Sequence, residues 1–253
     1  MRTPRDIALL YQRYFVQMLR NPVWLAVGFS TPLLYLALFT PLLKHIAVSA
    51  GLPGSNVLDG FLPGILALLA FASGSGLGFS TIFELRTGVT ERLRVTPASR
   101  FAILVGPILA SMTLMFVFDA VLVAAGAAFG FEVHWLGLAV LAVLLGLLMV
   151  TMGAFSIATA LLTKEISGFA AIINGINLPV LLLAGVLLPI SIGPFWMRVL
   201  AHFNPLYYLV AASRLLATGH FSGHQVWQAF AVLLPLCALV LAWATRVFRR
   251  AVA

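Results

Sequence analysis

Few residues of this chain could do chemistry, and the densest group of them stands in one stretch. Residues 84–100 run Glu-Leu-Arg-Thr-Gly-Val-Thr-Glu-Arg-Leu-Arg-Val-Thr-Pro-Ala-Ser-Arg, with charges that alternate in sign. Elsewhere Asp119 stands alone in an apolar run, Asn174 and Asn177 are three apart, and His134, His202, His220 and His224 are scattered. General acid–base work needs converging groups. Asp119, Glu132 and His134 come nearest to such a set and are too sparse for a membrane enzyme. His220 and His224 are four apart, but Ser222-Gly223 between them breaks the helix that would pair them on a metal. The single cysteine, Cys237, excludes a disulfide framework and a multi-cysteine metal site within one chain. A Walker A loop needs Gly-Lys-Ser/Thr to hold phosphates. The only lysines, Lys44 and Lys164, follow Leu43 and Thr163, so this chain carries no P-loop.

The elements that position these residues are apolar and long. Of 253 residues, 62% are hydrophobic and 9% charged, against roughly 25% charged in soluble domains. A soluble globular enzyme and a disordered chain are both excluded. Six runs reach the roughly 20 residues that cross ~30 Å of hydrocarbon as a helix: Val23–Leu43, Leu62–Phe83, Phe101–Phe129, Trp135–Leu162, Ile166–Leu188 and Val226–Thr245. They lack the period-two alternation of a barrel. The first is read as a retained anchor, because its 22 preceding residues and long apolar core exceed a typical signal peptide. The net charge of +8 forms no continuous stripe, which argues against nucleic acid. Twelve of the Lys and Arg residues fall on one side of the six spans and three (Lys44, Arg198 and Arg214) on the other. That bias predicts a multi-pass protein with both termini in the cytoplasm.

Three segments stand apart from the spans. Residues 3–20 carry Ile7, Leu10, Tyr11, Tyr14, Phe15 and Met18 at helical spacing, with Arg5, Arg13 and Arg20 off that stripe. They predict an amphipathic helix in the interface, capped by Thr3, with Pro4 in its first turn and Asp6 as a capping acid. In the second segment Gly88 permits a break after span two, Thr90 can cap a short helix through Arg94, and Pro97 closes it. The alternative is a solvated loop of orientation charges. The third, residues 189–217, is apolar but broken by Pro189, Gly193, Pro194 and Pro205. Phe195–Phe203 and Tyr207–Leu216 are half a span each. Joined at Asn204-Pro205, they predict a re-entrant hairpin or two surface-lying helices. Trp196, Tyr207 and Tyr208 fit an interfacial belt, and Arg214 is expected at the outer interface with its head toward water or an acid.

Three sequence elements carry a family resemblance: Pro63-Gly64 opening span two; Glu84-x-Arg86-x-Gly88-x-x-Glu91-Arg92-Leu93-x-x-Thr96-Pro97 after it; and Pro194-x-Trp196 with Asn204-Pro205-x-x-Tyr208 and Arg214. In this order around six spans they resemble the ABC-2 type permeases, the membrane subunits of ABC exporters such as the daunorubicin-resistance and polysaccharide-export systems. Thr87 and Thr90 depart from the commonest form. The resemblance covers residues 1–253 as one transmembrane domain and implies an all-α fold of six transmembrane helices. It makes residues 1–22 a connecting helix and 189–217 an external re-entrant hairpin. Gly88, Thr90, Glu91, Arg92, Leu93, Arg94 and Pro97 become the coupling segment for an ATP-binding subunit. Trp196, Asn204, Pro205, Tyr208 and Arg214 become the external gate. ATP and magnesium would belong to two copies of that partner, with no cofactor and no enzymatic activity in this chain. A second permease protomer, a homodimer rather than a heterodimer, would complete the path in a bacterial inner membrane.

Phe71, Phe79, Phe169, Asn174 and Asn177 are the candidates to line that path. Interhelical hydrogen bonding is the alternative role for the two asparagines. Spans two and five offer phenylalanine but no tryptophan or tyrosine to stack on sugars, which favours an amphipathic drug, lipid or secondary metabolite over a polysaccharide. Asp119, costly in a span at ~2.5–3.5 kcal/mol when charged, is expected to hydrogen-bond a neighbouring helix. A relay role would need ionisable partners in the spans. An ion-coupled secondary transporter predicts inverted repeats and several ionisable groups at mid-membrane, and the sequence shows no repeat.

Overall fold

A computed structural model describes residues 3–49, 57–89, 99–186, 190, 193–219 and 223–251. Its elements are α1 (Thr3–Leu19), α2 (Pro22–Ser49), α3 (Val57–Arg86), α4 (Arg100–Ala128), α5 (Trp135–Thr163), α6 (Ile166–Ala184), α7 (Phe195–Ala201), α8 (Pro205–Ala217) and α9 (His224–Ala251). Among the described residues there is no strand. Six of these helices, α2 to α6 and α9, are long and apolar enough to cross a membrane. The fold is all-α, and the six expected spans fall where the apolar runs place them.

Five of the spanning helices enclose internal prolines: Pro32 and Pro41, Pro63, Pro107, Pro179 and Pro235. Each removes one ladder bond, which neighbouring helices can compensate. Pro63-Gly64 does not open α3. The helix starts at Val57, and Pro63 costs it only the bond to the residue 59 carbonyl.

The interior is the α3–α5 seam. Small residues let these helices approach, as helices must in lipid, where apolar area gives no drive to associate. A Cβ on Gly74 would meet Met152 Cβ at 2.7 Å, and one on Gly153 would meet Leu77 Cδ1 at 2.9 Å. In the most apolar stretch of α3, 56% of residues are buried, against 17% in α2 and 11% in α6. The last two are peripheral within this chain.

The first helix is amphipathic, and its apolar stripe meets the protein. Leu10 and Tyr14 are buried, and Leu10 packs so close to Gly106 of α4 that a Cβ there would sit 2.8 Å from it. Protein, not lipid headgroups, covers this apolar stripe. Leu9, Val16 and Leu19 on the other side stay exposed.

Candidate functional site

Helix α3 carries Phe71 and Phe79 and runs between the other candidate groups, and it is tied at both ends. At its Gly60 end the tie is Arg214 of α8. The guanidinium donates from Nε to the Gly60 carbonyl at 3.1 Å and from a terminal nitrogen to the carbonyls of Gly185 at 2.6 Å and Val186 at 3.5 Å. Helix α6 ends at Gly185 in the left-handed region, φ 70°, a conformation glycine adopts without strain. Carbonyls at a helix end lack intrahelical partners, and a guanidinium offers several donors in one plane. Arg214 therefore binds backbone carbonyls, and no acid pairs with it among the described residues. The junction is tight: a Cβ on Gly64 would lie 2.8 Å from the Val186 oxygen.

Asn204 adds a second tie. Its side-chain oxygen accepts from the Leu206 amide at 3.0 Å and caps α8, with Pro205 in the first turn. Its side-chain nitrogen donates to the Val180 carbonyl of α6 at 2.7 Å. The Tyr208 hydroxyl donates to the His202 carbonyl at 2.9 Å, closing the corner between α7 and α8. Helix α8 is buried through Leu206, Leu209, Val210 and Leu216, whereas Trp196 of α7 is 61% exposed and Phe203 is 83% exposed. The two short helices expected around Asn204-Pro205 are present, one inside the protein and one on its surface.

At the other end, the Tyr14 hydroxyl of α1 donates to Glu84 Oε2 at 2.9 Å. Burial first, and the Glu84 carboxylate second, push the Tyr14 hydroxyl above the ordinary tyrosine range. Two residues beyond the helix Gly88 takes φ 71°, and the Gly88 amide donates to the Leu85 carbonyl at 3.3 Å. The expected break after α3 is there. Thr90, Glu91, Arg92, Leu93, Arg94 and Pro97 lie outside the described residues. The chain re-enters at Ser99, whose side chain accepts from the Ala102 amide at 3.1 Å and caps α4. The Ser99 amide in turn donates to Asp6 Oδ2 at 3.3 Å. Asp6, expected to cap its own helix, reaches the far side of the polar segment instead. Helix α1 thus contacts the chain at Glu84 and at Ser99, on either side of the polar segment. Nothing in the one-dimensional pattern signals these two long-range contacts.

Between the ends, Phe71 and Phe169 are closed inside the protein, while Phe79 is 40% exposed and meets Phe169 edge-on at 4.8 Å. Asn177 is half-buried, with its Oδ1 3.4 Å from the Ser75 hydroxyl of α3. Asn174 is exposed. The five path candidates therefore separate into an inner pair, a contact to α3, and two side chains on open surface. Both Asp119 carboxyl oxygens are buried without a hydrogen-bond partner among the described residues. The interhelical bond expected of Asp119 is absent among the described residues. His202 Nδ1 lies 2.7 Å from the Arg198 carbonyl, and His224 Nε2 lies 3.0 Å from Gln228 Nε2. Each of those ring nitrogens faces a protein partner.

The sequence pattern of the ABC-2 type transporter family matches residues 5–217. The chain belongs to that family. It is also similar to "Putative transport permease ycf38" of Cyanophora paradoxa, 37% identical over 101 residues. That likeness covers 40% of this chain and 35% of the relative's length. The ABC-2 match takes in α1 to α8, so both ties of α3 fall within it, and α9 lies beyond.

Proposed function

We propose that this chain is the membrane-spanning permease subunit of an ATP-driven exporter, powered by a separate ATP-binding subunit. Membership of the ABC-2 type family supports the permease role, and the arrangement of α3 carries the reading further. One helix links the start of the polar segment 88–97, whose flanks Glu84 and Ser99 contact α1, to the junction that Arg214 of α8 makes with the end of α6. A partner pressing on Glu91, Arg92, Leu93 and Arg94 moves the Glu84 end of α3. The helix passes that motion to the Gly60 end. With the twelve-to-three distribution of basic residues, the Glu84 end lies in the cytoplasm of a bacterial cell and the Gly60 end outside.

On this reading ATP and magnesium sit on two copies of the partner, and this chain catalyses no reaction itself. A second copy of the chain covers α6, whose Ile172, Ile176, Leu178 and Leu182 are exposed in one protomer. The substrate passes between protomers near Phe79, Asn174 and Asn177, with Phe71 and Phe169 setting their shape from behind. Helices α7 and α8 enter the outer leaflet as the exit gate, with Trp196, Asn204, Pro205, Tyr208 and Arg214 fixing its corner. The cargo is an amphipathic drug, lipid or secondary metabolite. A lipid-linked glycan is the second reading, and the aromatic corner of His202, Tyr207 and Tyr208, with ring centroids 5.4 to 6.5 Å apart, favours it.

Co-purification tests the partner. An ATP-binding subunit encoded beside this chain should come down with it and hydrolyse ATP faster in the complex than alone. A chain that purifies alone, with no effect on that subunit's ATPase rate, contradicts the proposal. Orientation is tested with Cys237 replaced: a cysteine at Ser222 should react with an impermeant reagent on intact cells and one at Arg250 should not.

A further inference from the structure

The middle of α3 contains a polar contact that neither spanning nor close packing requires. Residues 74–78 read Gly-Ser-Gly-Leu-Gly, a weak stretch for a helix, since glycine costs about 1 kcal/mol more than alanine in a helix interior. The Ser156 hydroxyl of α5 points into this stretch. It donates to the Ser75 carbonyl at 2.6 Å and accepts from the Gly78 amide at 2.8 Å. Both groups belong to the backbone ladder of α3, three residues apart and so within one turn. Ser156 and Ser75 are buried, so no water competes. Glycine at 78 is needed for this approach, because a Cβ there would stand 2.7 Å from the Ser156 oxygen and collide with the Phe169 ring. The Ser75 hydroxyl donates to its own Phe71 carbonyl at 2.9 Å and contacts Asn177 of α6 at 3.4 Å. Three spanning helices therefore meet through hydroxyls at one level.

A side chain inserted into the ladder is one of the few causes of helix bending. In hydrocarbon a bend has a second requirement: a carbonyl and an amide that separate must find other partners, or several kcal/mol are lost. A hydroxyl donates and accepts at once, so it can hold both groups while the ladder opens. Alanine at 156 would pack as well in the resting state and could do neither.

We propose that the Ser156 hydroxyl is the pin of a hinge in α3, holding the Ser75 carbonyl and the Gly78 amide while residues 74–78 flex during transport. Ser156 is a positioning residue: its hydroxyl binds only the α3 backbone, beside Phe79, and none of the path side chains. The role in transport rests on the exporter reading, whereas the hydrogen-bond wedge does not.

The test uses Ser156→Ala and Ser156→Thr in the complex with its ATP-binding subunit, reconstituted in liposomes. Ser156→Ala should insert, melt a few degrees below the parent because two buried hydrogen bonds are lost, and keep its ATPase rate within twofold. It should lose about tenfold in substrate moved per ATP hydrolysed. Ser156→Thr keeps the hydroxyl and should restore at least half of that ratio. Unchanged transport per ATP in Ser156→Ala overturns the hinge, as does an equal fall of transport, ATPase and melting temperature, which marks a residue that only holds the fold. The wedge itself is read on the chain alone in nanodiscs, by the amide proton resonance of Gly78. It should shift in Ser156→Ala and stay in Ser156→Thr, and an unshifted resonance in Ser156→Ala overturns the proposal. A shifted Gly78 in a chain that no ATP-binding subunit joins would leave the wedge standing and remove the exporter reading instead.

Discussion

The two ends of α3 are held by different chemistry. At the Gly60 end a cation binds only backbone carbonyls, from α3 itself and from the last turn of α6, and a glycine makes room for the contact. At the Glu84 end one side-chain pair, Tyr14 with Glu84, makes the tie, and the chain leaves through a left-handed glycine. The first arrangement has several bonds radiating from one planar group, so it moves as a block. The second has one neutral donor on one carboxylate beside a break, so it can pivot. A helix built this way transmits displacement from its pivoting end to its blocked end. That is the order of events required if the drive arrives from the cytoplasm.

The largest effect should come from the segment at the pivoting end. Glu91→Ala with Leu93→Ala should change stability by no more than about 0.5 kcal/mol, as surface changes do, and abolish ATP-dependent export in vesicles. Normal export by the double variant would make residues 84–100 a simple charged loop. Next comes the blocked end. Arg214→Leu removes a charged donor from three carbonyls, and bonds of this kind contribute about 1.5–3 kcal/mol each. Counting the two shorter bonds, thermal unfolding in nanodiscs should show a loss of roughly 3–6 kcal/mol, with Arg214→Lys recovering part of it, since an ammonium cannot copy the planar fork. A loss below the error of the melt would make Arg214 an exposed interfacial arginine after all.

The smallest effect is at Tyr14. Tyr14→Phe should cost about 1.5 kcal/mol, the low end for one hydrogen bond to a charged group, since the contact is only partly buried. The pH dependence has a definite sign. Because burial raises the folded-state pKa of Tyr14, the stability it lends is complete below the ordinary tyrosine value near 10 and is lost as the pH rises above it. An alkaline absorbance titration should find one tyrosine that ionises later than the exposed ones, absent from Tyr14→Phe. Loss of the contact's stability already at neutral pH would contradict this assignment.

The spans, the amphipathic pattern of residues 3–20, the break at Gly88 and the two short helices around Asn204-Pro205 were all legible in the sequence. Each rests on local information: run length, periodicity, or a residue with a fixed backbone preference. What stayed hidden was which surface each element meets. The stripe of Leu10 and Tyr14 fits a lipid interface as well as it fits α4, since both accept apolar side chains. Asp6 has the position of a capping acid and the reach for Ser99, and only the fold chooses. Arg214 shows the same limit from the other side. Its partners are backbone carbonyls, which every residue carries, so no spacing of side chains could point to them. Helices α3 and α6 are similarly apolar and differ in burial, because hydropathy reports the solvent and not the neighbour.

Distances between spin labels at the two ends of α3 test its role most directly. Arg86 and Arg246 are exposed near the Glu84 end, and Phe129 and Phe203 are exposed near the Gly60 end. With Cys237 replaced, each pair carries labels in the complex with the ATP-binding subunit, and distances are measured with and without a non-hydrolysable nucleotide. Both distributions should shift on nucleotide binding, and the outer shift should disappear in the Glu91→Ala, Leu93→Ala background. An outer pair that moves while those two residues are absent, or one that stays fixed while the inner pair moves, would contradict transmission along α3.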